Sequence, residues 1–222
     1  MNLDEFLTKK LLASGSTAKC FILKSGNVFK EFNNPLDISD VERFKYFLNY
    51  ENESFLFPFE FVCNNNKFYG YVTKKALGQT LEESFAYSNL EKLSAHLKKL
   101  EKNINYVSEG KIVMHDLHSN NIIYDGKLLQ VIDPDEYAIR DFESVDNIKT
   151  INFKYNRIMV SNLFITNIGL NRNTEYILDR INSYKYSEVK ASEFIIWIKE
   201  DMEKHYKETI NTIDDFNNIV KR

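Results

Sequence analysis

Residues 112–137 read IVMHDLHSNNIIYDGKLLQVIDPDEY. Short apolar runs alternate there with His115, Asp116, His118, Asn120, Asn121, Asp133 and Asp135. Ile112-Val113-Met114 reads as a short strand. Asn121 to Tyr124 and Leu128 to Ile132 read as the arms of a hairpin that turns at Asp125-Gly126-Lys127. Asp116 then follows one strand, Asn121 opens the next, and Asp133 ends the third. The turn brings Asn121 and Asp133 side by side. Carboxylate and amide oxygens without a thiolate suit a hard cation such as Mg²⁺, which takes one or two carboxylates and completes its shell with phosphate and water. Zinc fits poorly, because His115 and His118 stand three apart in a loop with no third nitrogen ligand.

Working outward, residues 10–32 read as two or three strands, with a turn at Ser25-Gly26-Asn27 and a strand over Val28 to Phe32. Asp37 to Asp40 offer N-caps for a helix of about 40–52, whose stripe is Val41, Phe44, Leu48 and Glu51. Residues 59–74 read as a hairpin with an Asn-rich turn, and 76–80 as a connector. Ser88 caps an amphipathic helix in which Leu90, Leu93, Leu97 and Leu100 repeat at three and four. From about 140 the pattern is helical, with segments at 155–168, 173–184, 189–206 and 210–220. The fold class is α+β, with a boundary expected near 76–88.

The bulk properties narrow the classes of function. The 222 residues carry a net charge of −3, with pI near 5.9, and nothing in that balance favours a nucleic acid or a membrane surface as partner. No run of 18 apolar residues occurs, and the N-terminal stretch does not read as a signal peptide. Cys20 and Cys63 are too few for a disulfide framework and read as buried or partly buried thiols of a reducing compartment. The expectation is a cytoplasmic protein, or one delivered folded into a host cytosol.

The opening stretch resembles the catalytic and metal-binding loops of the protein-kinase-like superfamily, D-L-x-x-x-N followed about a dozen residues later by D-F-G or a variant. Asp116 and Asn121 have that first spacing, and Asn121 and Asp133 the second. The N-terminal half carries the other pieces in order. Leu12 to Cys20 stands where the family has its glycine-rich loop, of which Gly15 survives beside Ser16. Val28-Phe29-Lys30 resembles V-A-I-K. Tyr71 to Gly78 resembles the strand and hinge that bind adenine through backbone groups, here around Lys74 and Ala76. The resemblance covers roughly 10–137. It implies a bilobal fold, with a β-rich lobe over 1–76 and a compact, mostly helical lobe over 77–222. It further implies ATP and Mg²⁺ as ligands, with Lys30 on the α- and β-phosphates and Glu42 or Glu51 pairing with Lys30, Glu42 being favoured. Asp116 would orient or deprotonate the acceptor hydroxyl, and Asn121 and Asp133 would hold the metal.

Several departures mark an atypical member. His115 replaces the usual Arg before the catalytic Asp, so control by a phosphorylated activation loop is not expected. The D-L-H of Asp116 to His118 resembles aminoglycoside and related small-molecule phosphotransferases. Pro134-Asp135 replaces F-G, where Asp135 either adds a metal contact or belongs to a solvated turn. No A-P-E follows, and the short helical tail resembles minimal bacterial effector kinases. Three readings therefore stand: an atypical Ser/Thr protein kinase, a small-molecule kinase, and a pseudokinase scaffold. Each leaves room for a regulatory protein partner. His115 reads as a core histidine bonding a backbone carbonyl ahead of a chemical role, His118 reads as packed or chemical, and Trp197 reads as helix packing.

Overall fold

A computed structural model of the chain describes residues 7–169 and 174–221. The fold is α+β, and the chain divides into two compact units, residues 1–76 and 77–222.

The first unit is built on an antiparallel sheet of order β1-β2-β3-β5-β4: β1 Lys10–Ser14, β2 Ala18–Ile22, β3 Val28–Asp37, β4 Glu60–Asn64 and β5 Lys67–Thr73. Strand β3 runs five residues past the expected Phe32. It does so because a register break between Glu31 and Leu36 absorbs Pro35, a residue that cannot donate to a regular ladder. Asn65 and Asn66 turn the β4–β5 hairpin, both at positive φ, as a tight hairpin turn demands of its two central residues. Opposite the break, Gly70 is at φ +152, and a Cβ there would fall 1.9 Å from the Lys30 carbonyl oxygen. Only glycine lets β5 approach the backbone of Lys30 so closely.

The helix expected over 40–52 is one α-turn, α1 Val41–Lys45, between 3₁₀ turns at Ile38–Asp40 and Tyr46–Asn49. A 3₁₀ helix repeats every three residues. The buried stripe is accordingly Val41, Phe44 and Phe47, while Leu48 is exposed and Glu51 lies beyond the helix. Phe44 packs edge-on against Phe68, tilts against Phe32 and Tyr71, and so closes one face of the sheet. Phe29, Val72 and Leu23 form a core on the other face. Cys20 is half-buried, as expected, but Cys63 is exposed on the sheet-edge strand β4, contrary to the expectation of a buried or partly buried thiol.

The second unit begins with β6 Gln79–Thr80 and the short helix α2 Leu81–Ser84, whose cap is reciprocal: Thr80 Oγ1 accepts from Glu83 N–H and Glu83 accepts from Thr80 N–H. The long helix α3 Leu90–Glu109 follows, capped by Asn89 rather than Ser88. Its leucine stripe is wholly buried. Strands β7 Ile112–Val113, β8 Ile122–Tyr124, β9 Leu129–Val131 and β10 Ala138–Ile139 form two small sheets, β6-β8-β9 and β10-β7. The expected connector thus supplies a strand at its end. Gly78 is at φ +116, and a Cβ there would sit 2.1 Å from the Tyr124 carbonyl oxygen, so glycine is what lets β6 lie on β8. Four helices complete the unit: α4 Val145–Asn167, α5 Glu175–Lys185, α6 Ala191–Tyr206 and α7 Ile213–Val220. Helix α4 starts ten residues before the expected 155, where Ser144 Oγ accepts from Asn147 N–H. The expected first residue of the next helix, 173, lies outside the described residues. Trp197 packs beside Phe194 of its own helix and under Arg180 of α5, whose guanidinium is 5.6 Å from its ring, and it is 41% exposed. No helix among the described residues is long and apolar enough to cross a membrane.

Candidate active site

Asp116, Asn121 and Asp133 all fall in the second unit, on the loops that leave β7 and β9 and in the turn that opens β8. Two anchors, one buried and one half-buried, hold the first loop at its root. Asn152, fully buried on α4, accepts from Met114 N–H at 2.8 Å and donates to the Ile112 carbonyl and to Ser108 Oγ, both at 2.9 Å. One amide thus ties β7 to α3 and α4. His115 Nδ1 lies 3.0 Å from the Tyr155 hydroxyl on α4. That contact accounts for His115 as a packed histidine, although its partner is a phenol and not a backbone carbonyl.

The chain then turns sharply. Asp116 has φ +62, a left-handed conformation that Asp tolerates better than most residues but that is uncommon outside glycine. Asp133 has φ +64 and ψ +69. Non-glycine residues held in this region cluster at functional sites. Asn121 connects the two. Its Nδ2 donates to the Asp116 carbonyl at 3.3 Å and lies 3.4 Å from Asp116 Oδ2. Its own carbonyl accepts from Ile132 N–H at 2.9 Å, one residue before Asp133. The hairpin therefore does bring Asn121 beside the segment that ends in Asp133.

With its amide nitrogen engaged on Asp116, Asn121 has Oδ1 left as its acceptor. His118 Nε2 stands 3.5 Å from Asp116 Oδ2, and both side chains are about half exposed. Tyr137 is buried behind these loops. Burial pushes its hydroxyl far above the usual phenol range, and the nearby Asp133 and Asp116 carboxylates add to the rise. It is a neutral phenol in the wall of the site. Asp135 lies in the 3₁₀ turn Pro134–Glu136 that follows Asp133.

In kind, the Asn121 amide oxygen and the Asp133 carboxylate are hard donors that would suit Mg²⁺; among the described residues no group of three or more His, Cys, Asp or Glu is placed to hold a metal ion. Two protein oxygens with the rest of the shell left to phosphate and water is the habit of Mg²⁺.

The other candidates lie in the first unit. Lys30 is buried on the third strand, paired in register with Cys20 on β2 and Tyr71 on β5. Gly15 and Ser16 form the β1–β2 turn: Gly15 N–H donates to the Ala18 carbonyl at 2.8 Å, and Asn33 Nδ2 donates to the carbonyls of Gly15 and Ser16. A Cβ on Gly15 would meet only ordinary contact, 3.5 Å from Ala18 O. The turn is therefore pinned by Asn33 and does not depend on glycine. Glu42 does not lie buried beside Lys30; it is exposed and pairs with Lys45, three residues on. Glu51 pairs with Lys74 at 3.1 Å, also exposed. The reason is the short helix, which ends before Glu51 and turns Glu42 to solvent. The Lys74 carbonyl accepts from Thr73 Oγ1, and Ala76 is the last residue of the unit.

Sequence reasoning passed over Asn152, Asn33 and Glu82. A polar residue in the buried stripe of α4 marks Asn152; Asn33 and Glu82 sit in ordinary polar surroundings that carry no comparable signal. No family model matches the chain, and no curated protein matches it.

Proposed function

We propose that the chain is an ATP- and Mg²⁺-dependent phosphotransferase of the protein-kinase-like fold, which passes the γ-phosphoryl group to a hydroxyl, as an atypical Ser/Thr protein kinase does. The observation that carries this reading is the junction of Asp116, Asn121 and the end of β9: Asn121 bonds the left-handed Asp116 and accepts from Ile132, the residue before the left-handed Asp133, at the spacing of the catalytic and metal loops. Lys30 on the third strand agrees with it.

In this reading Asn121 Oδ1 and the Asp133 carboxylate hold Mg²⁺, which when bound neutralises phosphate charge. The Lys30 ammonium holds the α- and β-phosphates as a point charge. Asp116 accepts the proton of the attacking hydroxyl, and Asn121 Nδ2 fixes the direction in which that carboxylate points. His118 stands where it can hydrogen-bond the same carboxylate. Phosphoryl transfer asks mainly for positioning and charge stabilisation, and strained, cross-tied loops supply the first.

The test is purified chain with Mg²⁺ and γ-labelled ATP, offered both a protein mixture and a metabolite pool. Label on protein serine or threonine supports the reading. Label only on a metabolite moves the acceptor to a small molecule, in keeping with D-L-H. Nucleotide binding without any transfer would leave a pseudokinase scaffold, and neither binding nor transfer would sink the phosphotransferase reading altogether. Asp116→Asn is expected to lower the chemical step by roughly 10²–10⁴-fold while sparing ATP binding. An equal loss of binding would make Asp116 structural.

A further inference from the structure

Asn121 sits in the 3₁₀ turn Ser119–Asn121, closed by Asn121 N–H donating to the His118 carbonyl at 3.0 Å. A turn of three residues has little stability of its own. One side of it rests on β9 through Ile132. The other side rests on a carboxylate of α2: Ser119 Oγ donates to Glu82 Oε2, and Thr166 Oγ1, near the end of α4, stands 3.4 Å from Glu82 Oε1. Glu82 is half-buried; its Oε2 takes the Ser119 bond, while Oε1 stands beside the Thr166 hydroxyl, which is nearer the Asn162 carbonyl at 3.0 Å. Helix α2 is itself fixed by the reciprocal Thr80–Glu83 cap and by β6 lying on β8.

We infer that Glu82 is a positioning residue, a clamp that holds the Ser119–Asn121 turn and so sets where the Asn121 side chain presents its oxygen. A carboxylate accepting from a hydroxyl makes a charge-assisted bond, stronger than a neutral one. Groups that orient metal ligands from behind typically change metal affinity by 10–100-fold when removed. The clamp rests on the reading of Asn121 as a metal ligand, but its mechanical part does not.

Two measurements separate these. In the first, amide hydrogen exchange is followed in the full chain without nucleotide. Glu82→Ala is expected to raise exchange across 118–122 while the amides in the middle of α3 stay protected, and Ser119→Ala should reproduce the change. Unchanged exchange at 118–122 overturns the clamp. In the second, ATP binding is titrated against Mg²⁺. Glu82→Ala should raise the Mg²⁺ needed for half-maximal binding roughly tenfold, with binding recovered at high Mg²⁺. Glu82→Gln, which still offers one oxygen to Ser119, should restore most of it. A uniform loss at every Mg²⁺ level would mean a fold defect and overturn the positioning role. If the wild-type chain shows no Mg²⁺-dependent binding, the phosphotransferase reading falls, and the clamp stands or falls on the exchange result.

Discussion

At the scale of single residues, the site depends on side chains that serve the backbone before they serve chemistry. Asp116 and Asp133 were legible in the sequence because carboxylates at fixed spacing leave a pattern. Their left-handed backbone was not legible, because Asp takes that conformation only when the surroundings impose it. Asn152 anchors the strand that leads into Asp116. Removing its side chain leaves Met114 N–H and the Ile112 carbonyl buried without their partner, and each such group costs about 1–3 kcal/mol. Asn152→Ala is therefore expected to destabilise the chain by about 2–4 kcal/mol in urea unfolding, a loss that supplied Mg²⁺ and ATP do not reverse. A cost below about 0.5 kcal/mol, the size of an ordinary surface change, would show that these groups find other partners. The same substitution should loosen the loop at Asp116, read as faster exchange at 114–116.

At the scale of elements, the leucine-striped helix and the short strands of 112–132 are legible, while α1 and the start of α4 are not. The leucine stripe of α3 is visible because twenty residues repeat it. Helix α1 misled because four apolar or aromatic positions fit a 3.6 repeat and a repeat of three about equally, and packing of Phe44 and Phe47 under the sheet chose the latter. Its consequence reaches the site, since Glu42 and Glu51 end in exposed pairs. Two carboxylates respond to pH with opposite sign, one joining α3 to α6 and the other joining α6 to the loop that follows it. Glu101 on α3 is buried and accepts from Ser192 N–H and Oγ; burial raises its pKa more than those bonds lower it. Its contribution is present below its unfolded pKa and is lost as pH rises through the folded one. Glu203 on α6 is also raised by burial, but the Lys199 ammonium and the Ile210 N–H outweigh that and leave it lowered. Its contribution is present above the unfolded pKa and is lost as pH falls through the folded one. In pH-dependent urea unfolding, Glu203→Gln should flatten the acid-side loss, and Glu101→Gln should flatten the loss on the rising side. The same sign for both variants would refute the assignment.

At the scale of the whole molecule, what the sequence revealed was an order of motifs, and what it hid was the support behind them. Turn residues, capped helices and the 112–137 stretch can be read locally. Asn33, Glu82 and Asn152 act on residues 17, 37 and 38 positions or more away, and the partners of such contacts leave no local trace even where, as at Asn152, the residue itself stands out. The proposed reaction makes a separate prediction for each unit, at Lys30 in the first and at Asp133 in the second. Lys30→Ala should weaken ATP binding roughly 10–100-fold, the value of a charged hydrogen bond, whether or not Mg²⁺ is present. Asp133→Ala should leave the Mg²⁺-free affinity unchanged and remove the enhancement that Mg²⁺ brings. Both variants are to be compared by titration at matched ionic strength, with circular dichroism to confirm the fold, since Lys30 is buried. Unchanged binding in Lys30→Ala would detach the first unit from the chemistry. An undiminished Mg²⁺ effect in Asp133→Ala would remove the metal role from the end of β9 and leave the strained backbone there without the purpose assigned to it.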